Sequence, residues 1–136
     1  MSNIEQTLSI IKPDAVERNL IEKIKLIFTK NNLSIKEDKK IQITKEEAAE
    51  FYKIHQAKPF FEALCTYLSS GPIIVMIIEG ENAVLLSRKL MGATDPAQAE
   101  ENTIRKLYGL SIDKNSVHGS DSVENAKKEI NFFFKN

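Results

Sequence analysis

The chain has 136 residues, with nineteen basic side chains balanced by nineteen acidic ones. That length suits one domain over residues 1–136, burying about two thirds of its unfolded surface without staples. Charge balance and a pI near 6.7 exclude the global basic field behind non-specific nucleic-acid binding, so any phosphate affinity must be local.

Thr7 to Ile11 alternates and is β-branched, which predicts a strand stopped by Pro13, with Lys12 at its end. Leu20, Ile21, Ile24, Ile27 and Phe28 then mark a helix. Ile35, Ile41 and Ile43 share one parity in a long, charged strand suited to a sheet edge. Glu46–Ile54 and Phe60–Leu68 read as two helices separated by Lys58-Pro59. The second contains the only cysteine, Cys65, whose spacing from Phe61, Leu64 and Leu68 makes it a buried helix residue. Ile73–Ile78 is the candidate central strand and the longest apolar run; it is far too short to span a bilayer, and no signal segment is read at the N-terminus. The expectation is a soluble, cytoplasmic protein with no membrane or nucleic-acid partner. Asn82–Met91 forms another helix, with Ala83, Leu86 and Leu90 inward. From Gly92 to Lys114 periodicity is mostly lost, apart from a short helix around Thr103–Tyr108, and such a stretch is more often functional than idle. A short strand precedes the last helix, for which Asp121 and Glu124 read as a capping box and Val123, Ala126, Ile130 and Phe133 as the apolar stripe. This order predicts an α+β sandwich: a mainly antiparallel sheet covered by helices.

Asn115-Ser-Val-His-Gly-Ser-Asp121 sets His118, one of two histidines, among small polar residues near a helix N-terminus, where free N–H groups favour phosphate. A turn histidine bonding a backbone carbonyl is the plain alternative. Lys12, Arg88 and Arg105 would each pass as a surface charge, but beside His118 they suit phosphoryl transfer, which relies on positioning and on cations. Phe60, behind Pro59 at a helix start, could stack on a nucleobase or serve as a hydrophobic staple. Glu129 flanks the stripe of the last helix, and we assign it, with Ser120, to bonding one imidazole nitrogen and leaving the other as nucleophile. His55, beside Lys53 and Lys58, reads as an ordinary surface residue. No zinc spacing, Gly-rich phosphate loop or nucleophile elbow is present.

The Asn115–Asp121 segment resembles the active-site signature of nucleoside diphosphate kinases. Ile10-Ile-Lys-Pro-Asp-Ala-Val16, Lys58-Pro-Phe-Phe61, Ser70-Gly-Pro72, Gly92-Ala-Thr-Asp-Pro96 and Thr103-Ile-Arg105 match further family blocks in order. The resemblance implies a ferredoxin-like sandwich with a four-stranded sheet. It also implies ping-pong transfer of a γ-phosphate between nucleotides through a phosphohistidine, tolerant of base and sugar. It implies His118 as nucleophile, Lys12 on ribose and phosphate, Tyr52 near the transferred phosphate, and Phe60 stacked on the base. Arg88, Thr94 and Arg105 would bind phosphates, Asn115 the sugar hydroxyl, Ile112 the base, and Ser120 with Glu129 would orient His118. Mg²⁺ would be held mainly by nucleotide phosphates and water, with no protein metal ligand. A homo-oligomer is implied, tetramer or hexamer, the C-terminal extension of longer members being lacking here.

The chain departs from the family pattern in places. Glu101-Asn102 stands where a Pro-Gly pair is usual, Lys106-Leu107 follows Arg105 in place of Gly-Asp or Ala-Asp, Ile54 replaces an acidic residue and Glu22 a glycine. Three other readings are weighed. A sheet that reads nucleic acid would need exposed aromatics and a basic face. A silent scaffold would ordinarily lack the histidine or its cations. A histidine phosphocarrier would have no use for Phe60, Thr94 and Asn115 together.

Overall fold

Two isoleucine-rich segments supply the middle of the sheet. In the computed structural model, which describes residues 4–53, 56–110 and 114–134, β1 (Ile4–Ile11) and β3 (Ile73–Glu81) pair antiparallel from Ile4 opposite Glu81 to Ile11 opposite Ile74. β2 (Ser34–Ile41) lies outside β3 and β4 (Val117–Gly119) outside β1, giving the order β2-β3-β1-β4 with every pairing antiparallel. The central strands are buried on both faces, as their near-continuous apolar runs require.

Alternation along those strands divides the core in two. Ile11, Met76 and Ile78 face a cluster with Ile24 and Phe28 of α2 (Ile21–Lys30), Ala83 and Met91 of α5 (Ala83–Met91) and Ile104 of α6 (Ile104–Tyr108). Leu8, Ile10, Ile73 and Val75 face the other cluster. It includes Ala48 of α3 (Lys45–Phe51), Cys65 and Leu68 of α4 (Phe61–Leu68) and Phe133 of α7 (Val123–Phe134). Each large apolar side chain fully withdrawn from water contributes about 1.5–3 kcal/mol. Cys65 is buried in its helix as expected, and burial pushes its thiol pKa up.

Several local expectations need correction. Pro13 does more than stop β1: it occupies the first turn of α1 (Pro13–Glu17), where its missing N–H costs nothing. The shared parity of Ile35, Ile41 and Ile43 fails, because an irregularity between Ile35 and Glu37 adds a residue to β2. Ile35 therefore packs on one cluster and Ile41 and Ile43 on the other. The cap of α7 lies one residue later than the Asp121 capping box: the helix begins at Val123, and Ser122 Oγ accepts the Asn125 N–H at 3.1 Å. Asp121 instead accepts from the Asn125 side chain at 2.6 Å. Val123, the first residue of the helix, is 41% exposed and does not join the buried stripe. Ile54 and His55 lie outside the described residues.

Candidate active site

The site forms where β1 ends. Lys12 is the N-terminal flanking residue of α1, with extended backbone, and its N–H donates to the Ser116 carbonyl at 2.8 Å. This bond continues the β1–β4 pairing past Ile11 opposite Val117, and it brings the Asn115–Asp121 segment alongside the strand end. Lys12 is buried except for 5% of its surface, and its Nζ donates to Asn115 Oδ1 at 3.0 Å. The Asn115 amide in turn donates to the Thr94 carbonyl at 3.1 Å. Three residues from three distant stretches of chain thus form one edge.

His118 is not a turn residue. It occupies the middle of β4, opposite Ile10, half-buried. Its Nε2 lies 2.9 Å from Glu129 Oε1, and the Ser120 hydroxyl donates to the same oxygen at 2.8 Å. Ser120 Oγ also accepts the Leu8 N–H at 3.3 Å, which ties the group to β1. With Nε2 engaged, the Nδ1 nitrogen has no partner among the described residues. The ring of Phe51 stands edge-on to the imidazole, centroids 5.2 Å apart, and packs against Tyr52 and Phe133. Gly119 lets β4 press against α5: a Cβ there would meet Met91 Cε at 2.5 Å. That close approach brings α5, and with it Arg88, beside the histidine.

Between these elements lies a cleft of about 510 Å³, lined by Lys12, Tyr52, Phe60, Arg88, Thr94 and Arg105 with Asn115, His118 and Glu129, a size within the range of small-molecule sites. Arg105 is 9% exposed; its Nη1 and Nη2 donate to the Gly92 and Val117 carbonyls, both at 2.9 Å, while its buried Nε has no partner among the described residues. Burial, and then the like charge of Arg88, lower its pKa to about 10, so it stays cationic at neutral pH. Burial likewise pushes the Tyr52 phenol up, keeping it a neutral donor. Phe60, 44% exposed, stands at the mouth where α4 begins. The Asn125 amide, and Arg88 after it, hold Asp121 below the usual carboxylate range against the opposing effect of burial.

Of the residues singled out in the sequence, all but Ile112 line this cleft or bond a residue that does; Ile112 lies outside the described residues. Sequence reasoning missed Leu64, Gly119, Asp121 and Asn125 in the lining. It also missed Phe51, whose helical spacing gave no sign that the ring meets the histidine. Gly119 and Asp121, inside the motif already singled out, were the legible signals among them.

Fold and cleft together define a ferredoxin-like α+β sandwich with a carboxylate-held histidine facing a cationic pocket. The family model described as nucleoside diphosphate kinase matches residues 5–136. A nucleoside diphosphate kinase from a Nitratiruptor species is 57% identical over 131 residues, 96% of each chain, and one from Helicobacter hepaticus is 56% identical over the same shares. The crystal structure of the Aquifex aeolicus nucleoside diphosphate kinase superposes with a TM-score of 0.96 at 40% identity, covering 98% of this chain and 96% of that one. The chain belongs to the nucleoside diphosphate kinase family, and it is a phosphotransferase acting between nucleotides.

Proposed function

We propose that His118 carries the phosphate. The observation that supports this most directly is the 2.9 Å contact between Nε2 and Glu129, which commits that nitrogen as the protonated one and leaves the Nδ1 lone pair for attack. In the first half-reaction Nδ1 forms a bond to the γ-phosphorus of a nucleoside triphosphate as the bond to the bridging oxygen breaks, and the diphosphate leaves. Positive charge developing on the ring is offset by Glu129, whose carboxylate is itself fixed by Ser120. The second half-reaction reverses these steps onto a different nucleoside diphosphate. Arg88, Arg105 and Thr94 offset and orient phosphate charge, Tyr52 donates near the moving group, Lys12 and Asn115 hold the sugar side, and Phe60 stacks on the base at the mouth. Ile112 is assigned to the base as well. Stacking accepts any π-face, so base discrimination is weak.

Mg²⁺ fits as an ion brought by the nucleotide. The cleft offers cations for phosphate and, among the described residues, no cluster of three potential ligating side chains, and because Mg²⁺ dehydrates reluctantly, nucleotide phosphates and water would hold it. When bound, it supplies charge neutralisation at the phosphate oxygens. Among the described residues no helix is long and apolar enough to cross a membrane, and we place the enzyme with its nucleotide substrates in the cytoplasm. We read residues 1–136 as one catalytic domain working in a homo-oligomer, tetramer or hexamer.

Mixing the protein with Mg²⁺ and γ-labelled ATP should give a phosphoenzyme labile in acid and stable in alkali, discharged by a second nucleoside diphosphate. His118→Ala should abolish it. Labelled phosphate still passing through the His118→Ala protein would overturn the reading.

A further inference from the structure

Behind the edge formed by Lys12 and Asn115 lies a set of hydrogen bonds that the transfer reaction does not itself use. Asp14, 7% exposed, accepts through Oδ2 from the Ser116 hydroxyl at 3.0 Å and from the Arg18 guanidinium at 3.1 Å. Its Oδ1 accepts the Tyr67 hydroxyl, and the Tyr67 oxygen accepts the Asp14 N–H at 3.0 Å. Arg18 also donates to Ser116 Oγ at 3.3 Å and to the Tyr108 carbonyl. One carboxylate thereby joins α1, α4, the end of α6 and the turn that precedes β4.

That turn is conformationally demanding. Ser116 is fully buried with φ +76°, a left-handed backbone that a non-glycine residue keeps only where its surroundings hold it. Its carbonyl receives the Lys12 N–H, and the residue before it is Asn115. If Ser116 lost its anchor and relaxed to negative φ, the adjoining peptide planes would rotate. Asn115 would then leave the Lys12 ammonium at 3.0 Å and the Thr94 carbonyl at 3.1 Å.

We propose that Asp14, steadied by Tyr67, is a positioning residue for nucleotide binding: it holds Ser116 left-handed and so sets Asn115 and Lys12 toward the sugar side of the substrate. This inference rests on the nucleotide-binding reading of Lys12 and Asn115, and it assigns Asp14 no part in the chemistry at His118. Asp14→Asn removes the charge that Arg18 pairs with and turns one of the two acceptor oxygens into a donor, which loosens the anchor with little change in volume.

The test is a double-mutant cycle in the full chain, with kcat and KM measured for Asp14→Asn, Asn115→Ala and the pair. Asp14→Asn should raise the nucleotide KM about tenfold with kcat within about threefold, and the pair should be no worse than Asn115→Ala alone, because both losses pass through the same amide. Adding Ser116→Gly to Asp14→Asn should recover most of the KM, since glycine adopts φ above zero without the steric cost that the anchor offsets in serine. Should Asp14→Asn fail to fold, Ser116→Ala, which keeps the carboxylate but removes the hydroxyl it holds, is read in the same way, with Ser116→Gly alone as the recovering variant. Additive effects in the pair, a fall confined to kcat, or no recovery with glycine would overturn the role of Asp14. An unchanged KM in Asn115→Ala would instead overturn the reading of the cleft edge, and this inference with it.

Discussion

The two sides of the cleft are built by different means. His118 is fixed by side chains that belong to regular elements: Glu129 on α7, the Ser120 hydroxyl next to β4, and Phe51 on α3. Thr94 and Arg105 belong instead to the segment between α5 and β4, which is ordered largely through the main chain. Arg105 donates to the Gly92 and Val117 carbonyls, and Asn115 to the Thr94 carbonyl. The difference suits the two tasks proposed for them. A nucleophile must meet its target within fractions of an ångström, whereas the groups that hold phosphates must admit and release two different nucleotides. Side-chain packing on one side and, on the other, groups held by main-chain carbonyls in the segment between α5 and β4 give each side the freedom its task allows.

If that division is right, the largest effect should follow from disturbing the histidine side. Replacing Glu129 by Ala removes the acceptor that fixes Nε2 as the protonated nitrogen, and leaves the Ser120 hydroxyl proton without its acceptor. Single-turnover phosphorylation of His118 should slow about a hundredfold or more, roughly 2.7 kcal/mol of transition-state stabilisation, with nucleotide KM changed less than about threefold. A variant that instead raised KM while keeping kcat would show that Glu129 serves binding, and the contrast between the two sides would collapse.

The second effect belongs to the loop side. Gly92 ends α5 with φ +87° and ψ −178°, a region open essentially to glycine alone. A Cβ there would stand 2.5 Å from Thr103 Oγ1 and 2.7 Å from Thr103 Cβ. Gly92→Ala should therefore cost about 2 kcal/mol, lowering the melting temperature by roughly 8 °C. Because the displaced carbonyl is also an Arg105 acceptor, nucleotide KM should rise while His118 phosphorylation at saturation stays within about threefold. Thermal melts together with single-turnover rates separate the two outcomes, and an equal loss of both would mean that the loop also shapes the nucleophile.

Legibility in the sequence follows the same line. The central strands and the helices above them were readable, because apolar periodicity records which face is buried. The site motif was readable as well: His118, Ser120, Lys12 and Asn115 lie at strand ends or in one short segment. What periodicity cannot record is an inserted residue, and the β2 irregularity after Ile35 therefore turned the parity of Ile41 and Ile43 to the other face. Nor can it show that Asp14 on α1 and Tyr67 on α4 meet, since that contact depends on how two helices arrive at one strand end. The short elements of the loop side, the Pro96–Gln98 turn and α6, are set by caps and tertiary contacts and gave only a weak pattern.

The smallest effect concerns the turn in which this chain departs from its family. Thr103 N–H donates to the Glu100 carbonyl at 3.4 Å, and Asn102 has φ +68°. Glu101 is not among the positive-φ residues. Those are the marks of a type II turn with Glu101 at its second and Asn102 at its third position, places that favour proline and glycine respectively. The backbone thus keeps a conformation suited to Pro-Gly although the sequence carries neither residue. Glu101→Pro should stabilise by about 0.4–1 kcal/mol by narrowing the unfolded ensemble, and Asn102→Gly should contribute less, because asparagine already tolerates the left-handed region and glycine adds unfolded freedom. The double variant should melt roughly 2–4 °C higher at matched concentration and without nucleotide. Both residues are exposed, and neither lines the cleft, so kcat should stay within about threefold. A lower or unchanged melting temperature would show that this turn is rigidified by its Thr103 cap alone. A large fall in kcat with raised stability would show that the loop side needs its looseness for nucleotide exchange, which would sharpen the contrast with the histidine side.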